Sequence, residues 1–284
     1  MVRGPPGHLS SNLGQGDEPM TSESYPFAME QELNRSDTVV ALQRNVLGCD
    51  YGGSSWTTRE EADRVAKQLG LRRGQCLLEV GAGSGWPGLY LAGLTGCDVV
   101  LSDIPVFGLQ LALRRANADN LTERCFAVAA DAAALPFAAA SFDAISHSDV
   151  LCCMPAKEAM LSACRRVARP GARMVFSVIA PSHELSSAER SLAVASGPPH
   201  VEVDGDYGDL LNRFEWSVTE HNDVTEEYGR CVRAMLVGLE DNQEALIEAL
   251  GKEEFQRRIK RRRNALTAIG DGLLKREIFV AQAK

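Results

Sequence analysis

LLEVGAGSGWPG, from Leu77 to Gly88, runs out of an apolar strand into an acid and then breaks into alternating glycines that open a helix. Gly81, Gly83 and Gly85 allow the backbone to come close to a ligand, because no Cβ stands in the way. Pro87 falls where a first-turn proline is tolerated, its missing N–H being unpaired there in any case. The segment therefore reads as a strand–turn–helix with a nucleotide-like ligand lying over the turn.

The turn can be spelled in two ways. Gly83, Gly85 and Gly88 give GxGxxG, with Asp103 about twenty residues on, the spacing of a dinucleotide fingerprint. Glu79, Gly81, Gly83 and Gly85 give ExGxGxG, which resembles motif I of the class I S-adenosylmethionine-dependent methyltransferases. VVLSDIP serves either reading, placing Asp103 at the end of a second apolar strand where a carboxylate can accept from both ribose hydroxyls. FAVAADAAALPF then sets Asp131 just past a third strand, and SFDAISHSDVLCCM and RVARPGARMVFSVI follow. A dehydrogenase does not need this succession, and from about Thr57 to Ala180 it resembles the methyltransferase family.

That resemblance implies S-adenosyl-L-methionine as cofactor. The matching positions are Glu79, Gly81, Ala82, Gly83, Gly85, Asp103, Ile104, Asp131, Ala132 and Ser148. Asp103 would take the ribose, Asp131 the adenine amino group, and the strand-four segment the methionine half. The resemblance also implies a sheet of order 3-2-1-4-5-7-6 with strand seven antiparallel. Two other readings stay open: a nicotinamide-dependent oxidoreductase built on GxGxxG, and a non-catalytic S-adenosylmethionine-binding subunit.

The hydrophobic pattern agrees with an α/β, Rossmann-like fold. Strands are expected at Cys76–Val80, Asp98–Ser102, Cys125–Ala129, Phe142–Ser146, Arg173–Ile179 and Glu277–Ala283, with another from the FEWSV segment. Helices are expected at Gly88–Leu94, Phe107–Ala118 and Ala156–Ala168. Continuous apolar strands alternating with helices indicate a parallel sheet covered on both faces. Arg59–Leu69 reads as an amphipathic helix capped by Thr57 or Thr58, and Thr225 as the N-cap of a later one. Residues 1–25 are Gly-, Pro- and Ser-rich and read as a disordered tail. The rest, 26–284, forms one domain with an N-terminal helical cap over 26–70 and an insertion over 181–212 that serves as a substrate lid.

Composition narrows the function. The chain has 284 residues, 45% of them apolar, which suffices for one sizeable core, and its net charge of −8 argues against general nucleic-acid binding. No apolar run is long enough for a membrane span and no signal-peptide core opens the sequence, so a cytoplasmic protein acting on a small molecule is the expectation. The 8 cysteines show no CxxC pair, and neither a metal site nor a disulfide frame is signalled. Arg257, Arg258, Lys260, Arg261, Arg262 and Arg263 form a basic run beside Glu253 and Glu254. It reads as a solvated helix face, with attraction of a carboxylate- or phosphate-bearing substrate as the alternative.

Catalytic candidates cluster after strand four. The segment Ser148–Met154 resembles the corresponding part of the phosphoethanolamine and sarcosine/dimethylglycine methyltransferases, many of which carry His where this chain has Cys153. Asp149 matches the family's acid, and Cys153 is a thiol candidate. His147, at the C-terminal end of strand four, is the first choice for a general base. Tyr51 and Trp56, in DYGGSSWT, resemble the segment that closes over the cofactor, and their aromatic faces suit a cationic or apolar ligand.

Overall fold

The computed structural model describes residues 36–284. The predicted tail and the first residues of the N-terminal cap lie outside that range. Seven strands form one sheet of order β3-β2-β1-β4-β5-β7-β6. They are β1 (Cys76–Val80), β2 (Asp98–Asp103), β3 (Cys125–Ala129), β4 (Phe142–Ser148), β5 (Ala168–Pro181), β6 (Trp216–Asp223) and β7 (Leu274–Ala283). β1 to β5 run parallel, while β7 lies antiparallel to both β5 and β6.

The N-terminal cap holds α1 (Asp37–Leu47) and α2 (Arg59–Leu69), each started by a hydroxyl and stopped by a glycine. Ser36 accepts from the Val39 N–H and Thr58 from the Glu61 N–H, which satisfies amides that a helix start leaves unpaired. Gly48 and Gly70 end the two helices at φ 72° and 63°, conformations that cost glycine little.

Alternation along the strands divides the core. Leu77, Val99, Leu101, Ala144 and Val175 pack on one face with Leu89 and Leu91 of α3 (Gly88–Thr95) and Leu109 and Ala112 of α4 (Val106–Ala118). Leu78, Val100, Ile145 and Met174 pack on the other with Met160, Leu161 and Cys164 of α5 (Lys157–Val167). Both faces are thus buried, which is why these strands read as unbroken apolar runs.

Downstream of β5 lie α6 (Ser187–Ser196) and α7 (Tyr207–Arg213); beyond β6 come α8 (Thr225–Asp241), α9 (Gln243–Leu250) and α10 (Lys252–Gly270). Leu42 of α1 packs so closely on Gly238 of α8 that a Cβ there would meet it at 2.5 Å. Among the described residues, no helix is long and apolar enough to cross a membrane.

Several boundaries shift by one or two residues from expectation, and three differences bear on the site. β5 begins at Ala168 rather than Arg173, because Ala168 pairs with Phe142 across an irregularity in the ladder and Gly171, at φ 74°, bends the chain between. β7 begins at Leu274, which pairs with Pro181, so that Arg276 belongs to the sheet. Thr225 is the first residue of α8 and not its cap: Asp223 accepts from its N–H at 2.8 Å, and the Thr225 hydroxyl accepts from the Arg276 N–H.

Candidate functional site

The glycine turn after β1 takes the expected left-handed form, with φ 66° at Gly81, 51° at Gly83 and 96° at Gly85. A Cβ on Gly81 would lie 2.5 Å from Val150, and one on Gly85 2.6 Å from Leu89. A side chain at Gly81 would push away the segment that follows β4, and one at Gly85 would displace the packing of α3 and α4 on the turn. Asp103, at the end of β2, accepts the Gly83 N–H at 2.6 Å through one oxygen and the Ile104 N–H at 2.8 Å through the other. Each oxygen keeps a second lone pair for a hydroxyl donor. Burial raises the Asp103 pKa, while these two N–H groups act against the rise.

On the neighbouring strand, Asp131 follows β3 and accepts the Ala133 N–H at 2.8 Å, opening a single 3₁₀ turn that starts at Ala132. Ile104 is 41% exposed, a large apolar side chain standing at the strand ends between these two acids in sequence. Two carboxylates on adjacent parallel strands, an exposed isoleucine and a glycine cradle fit the ribose, adenine and amino-acid parts of S-adenosyl-L-methionine. Ala82 is buried, its N–H donating to the Ser102 carbonyl, so it contributes to the turn's shape rather than an exposed side chain.

Glu79 sits differently from the other two acids. Its side chain is fully buried, Ser146 of β4 donates to one oxygen, and the other lacks a hydrogen-bond partner among the described residues. Desolvation pushes its pKa from 4.5 up to about 7. Between those two values the folded chain binds this proton more tightly than the unfolded chain, so stability falls as pH rises through that window. The ligand-free protein should lose ~3 kcal/mol from this group between about pH 4.5 and pH 8. Urea unfolding across that range should show Glu79→Gln with a flatter profile; an unchanged slope would remove Glu79 as its source.

A cavity of about 160 Å³ opens beside the turn, at the C-terminal end of β4. Its floor is Ser148, Asp149, Cys152, Cys153 and Ile179. Gly53 to Trp56 form one side, Ser196 to Pro199 another, Tyr228, Met235 and Leu239 of α8 a third, and Arg258, Arg261, Arg262 and Ala265 of α10 the last; Val39, Gln43 and Leu47 of α1 complete it. The cavity and the glycine turn share a wall, since a Cβ on Gly53 would stand 3.6 Å from the Ser84 hydroxyl.

Under that floor lies a buried ionic knot. Arg276 of β7 reaches Asp149 at 2.9 Å and Glu61 of α2 at 2.7 and 2.9 Å, and also donates to the Thr57 hydroxyl. Asp149 accepts in addition from the Ser177 hydroxyl at 3.0 Å and the Trp56 N–H at 2.9 Å. Both its oxygens are therefore engaged, and its left-handed φ of 57° turns Val150 onto Gly81. Asp149 is a fastener between the N-terminal cap and the sheet, not an acid poised for proton transfer.

His147 does not reach the cavity. It points to the opposite side of the strand from Ser146 and Ser148, is 1% exposed, and stacks on Phe176 at 4.5 Å. Phe176 stacks on Phe279 and Phe279 on His221, so one cross-strand ladder of rings crosses β4, β5, β7 and β6. Desolvation drives the His147 pKa from 6.5 down to about 3, leaving a neutral packed ring. The choice of His147 as general base is overturned by strand parity, which outweighs position along the strand. Cys153 does line the cavity, half-buried.

Of the two aromatic candidates, Trp56 lines the cavity, packing edge-on against Tyr228 at 5.4 Å. Tyr51 does not. Its ring lies 5.1 Å from Trp86 and 4.3 Å from the Arg115 guanidinium, which Asp50 holds at 3.0 Å. That cation–π contact secures the cap against α4, away from the cavity floor. Sequence reading missed Tyr228, Met235 and Leu239, whose only signal was the apolar spacing of α8, and it missed Arg276 altogether.

The description "Methyltransferase domain" belongs to the family that matches residues 78–176. The methyltransferase GfsG of Streptomyces halstedii is 27% identical over 67% of this chain and 69% of its own length. The 27-O-demethylrifamycin SV methyltransferase of Amycolatopsis mediterranei is 34% identical over 52% of this chain, which spans just 57% of that relative. Among solved structures, the cyclopropane synthase MmaA2 of Mycobacterium tuberculosis superposes with a TM-score of 0.73 at 14% identity, covering 90% of this chain and 97% of that one. Phosphoethanolamine N-methyltransferase 2 of Haemonchus contortus does so with a TM-score of 0.71 at 16% identity, over 89% and 58%. The sheet order, the ExGxGxG turn with its two following acids, and these likenesses do not favour a nicotinamide enzyme; residues 78–176 match a methyltransferase domain, and the chain is similar in sequence and fold to the class I S-adenosyl-L-methionine-dependent methyltransferases.

Proposed function

We propose that the protein transfers the methyl group of S-adenosyl-L-methionine to a small-molecule acceptor held in the cavity beside the glycine turn. The observation that carries this reading is the shared wall: Gly53 borders the cavity and abuts Ser84 of the turn, while Ser148 ends β4 on the cavity floor. Asp103 would hold the ribose hydroxyls, Asp131 the adenine amino group, and Ser148 with the Gly81–Gly85 backbone the methionine end. Ile104 and Ala132 would pack against the base. When bound, the cofactor supplies an electrophilic methyl on a cationic sulfur.

The chain's own contribution is then alignment and exclusion of water, which together can lower a displacement barrier by several kcal/mol. The described lining residues include no histidine, and the Asp149 carboxylate is consumed by Arg276, Ser177 and the Trp56 N–H. The site thus suits a nucleophile that needs little help in losing a proton. Cys153 is assigned to contact with the acceptor. Residues 197–199 close one side of the cavity, supporting a lid role for the 181–212 insertion. Lys157 fastens that side by donating to the carbonyls of Met154 and His200. We infer a soluble, cytoplasmic enzyme with no nucleic-acid partner.

Transfer of labelled methyl from S-adenosyl-L-methionine to a panel of small metabolites tests the reading. Product from at least one acceptor is expected. Tight cofactor binding with no product from any of them would instead favour a binding subunit.

A further inference from the structure

The basic run read from the sequence as a solvated face splits in two when folded. Arg257 pairs outward with Glu254, and Arg263 with Glu240. Arg258, Arg261 and Arg262 border the cavity instead, and all three hold partners within the chain. Arg258, 3% exposed, pairs with Glu254 at 2.7 Å, and Arg262 sets its guanidinium over the Trp56 ring, 5.7 Å from the centroid. The one acid on the described wall, Asp149, is matched from beneath by Arg276 at 2.9 Å. Every charge on that wall is already engaged, so an ion entering the cavity would shed its water without gaining a free counter-charge. A cation is disfavoured further, because Arg262 covers a face of Trp56 and Tyr228 packs edge-on against the same ring at 5.4 Å.

Tyr228, Met235 and Leu239 stand on one face of α8 and line the cavity. Tyr228 is 4% exposed, yet its hydroxyl makes no hydrogen bond to a described residue. Burial raises its pKa, which keeps it a neutral phenol able both to donate and to accept. A hydroxyl on a buried ring, left without a partner on a helix face otherwise apolar, is a cost that a ligand oxygen would remove. The cavity, at about 160 Å³, is smaller than the roughly 300–1,000 Å³ usual for drug-sized ligands, which limits its occupant to a compact body.

We propose that the acceptor is an uncharged, compact molecule whose apolar body lies against Met235 and Leu239 and whose hydroxyl bonds to the phenol of Tyr228. The inference rests on the acceptor-site reading above. Tyr228 then determines specificity by meeting the acceptor's oxygen, while the closed charge network of the wall turns ions away.

Calorimetric titration of the full chain, with S-adenosylhomocysteine present, against p-cresol, toluene, p-toluate and p-methylbenzylammonium tests this. p-Cresol should bind about three- to tenfold more tightly than toluene, and about tenfold or more tightly than either ion. Tyr228→Phe should bring p-cresol to the level of toluene, leaving toluene binding as it was and the unfolding midpoint no lower. Either ion binding as tightly as p-cresol overturns the uncharged acceptor while leaving the cavity as the acceptor site. No gain of p-cresol over toluene, or a loss in the phenylalanine variant that is absent or shared by toluene, overturns the part given to Tyr228. Binding of none of the four overturns both the proposal and the acceptor site.

Discussion

Arg276→Met lowers the stability of this protein by about 3–5 kcal/mol, the expected result of leaving two buried carboxylates without their shared cation. Glu61 and Asp149 are 3% and 8% exposed, and Arg276 is 1% exposed. Its partners come from α2 and from the end of β4, so the loss would fall on the joint between the cap and the sheet. Denaturant unfolding of the wild type and the variant measures the effect. A double-mutant cycle with Glu61→Gln should return a coupling of about 1 kcal/mol or more. A coupling near zero would show that the three side chains do not act as one unit. Arg276→Lys keeps the charge but has no fork to engage Glu61 and Asp149 together, and an intermediate loss is expected. Because Asp149 also holds the Trp56 N–H at 2.9 Å, the lysine variant should raise KM for the acceptor more than it raises Kd for S-adenosyl-L-methionine.

Asp103→Ala is expected to weaken S-adenosyl-L-methionine binding on the order of 30- to 1000-fold, about 2–4 kcal/mol, through loss of charge-assisted bonds to the sugar. The same carboxylate accepts the Gly83 N–H at 2.6 Å and so helps shape the turn. Asp103→Asn separates the two contributions: it keeps the size of the side chain but gives up the charge. The asparagine variant should unfold near the wild-type midpoint and still bind the cofactor poorly. Wild-type affinity in both variants, measured by calorimetry, would refute the assignment of Asp103 to the ribose.

The strands and the glycine turn were legible because their signals are short in range. An apolar run, a glycine needing positive φ and an acid closing a strand each act within a few residues, and β1 and β3 begin and end where the pattern placed them. His147 was misjudged for a reason also local in origin. Position at the strand's C-terminal end suggested a ligand-facing base, yet the alternation of side chains along β4 sends it into the ring ladder with Phe176. Comparing Ser146, His147 and Ser148 by parity separates the two faces; it takes the structure to say which one the ligand meets.

What the sequence determined by itself was an α/β sheet with a glycine turn suited to a nucleotide-like ligand, since periodicity and turn chemistry are properties of neighbouring residues; S-adenosyl-L-methionine came from the resemblance of the whole succession of segments to a family. Tertiary structure alone decided the cavity's character. Arg276 lies 215 residues from Glu61 and 127 from Asp149 in the chain, and their pairing exists only because β7 inserts between β5 and β6. Arg258, Arg261 and Arg262 of α10 border the cavity while Arg257 and Arg263 stay on the solvated face, because the packing of α8 and α10 against the cap turned one side of that helix inward. Burial and charge pairing are set by which distant surfaces meet, and a linear pattern does not contain that information.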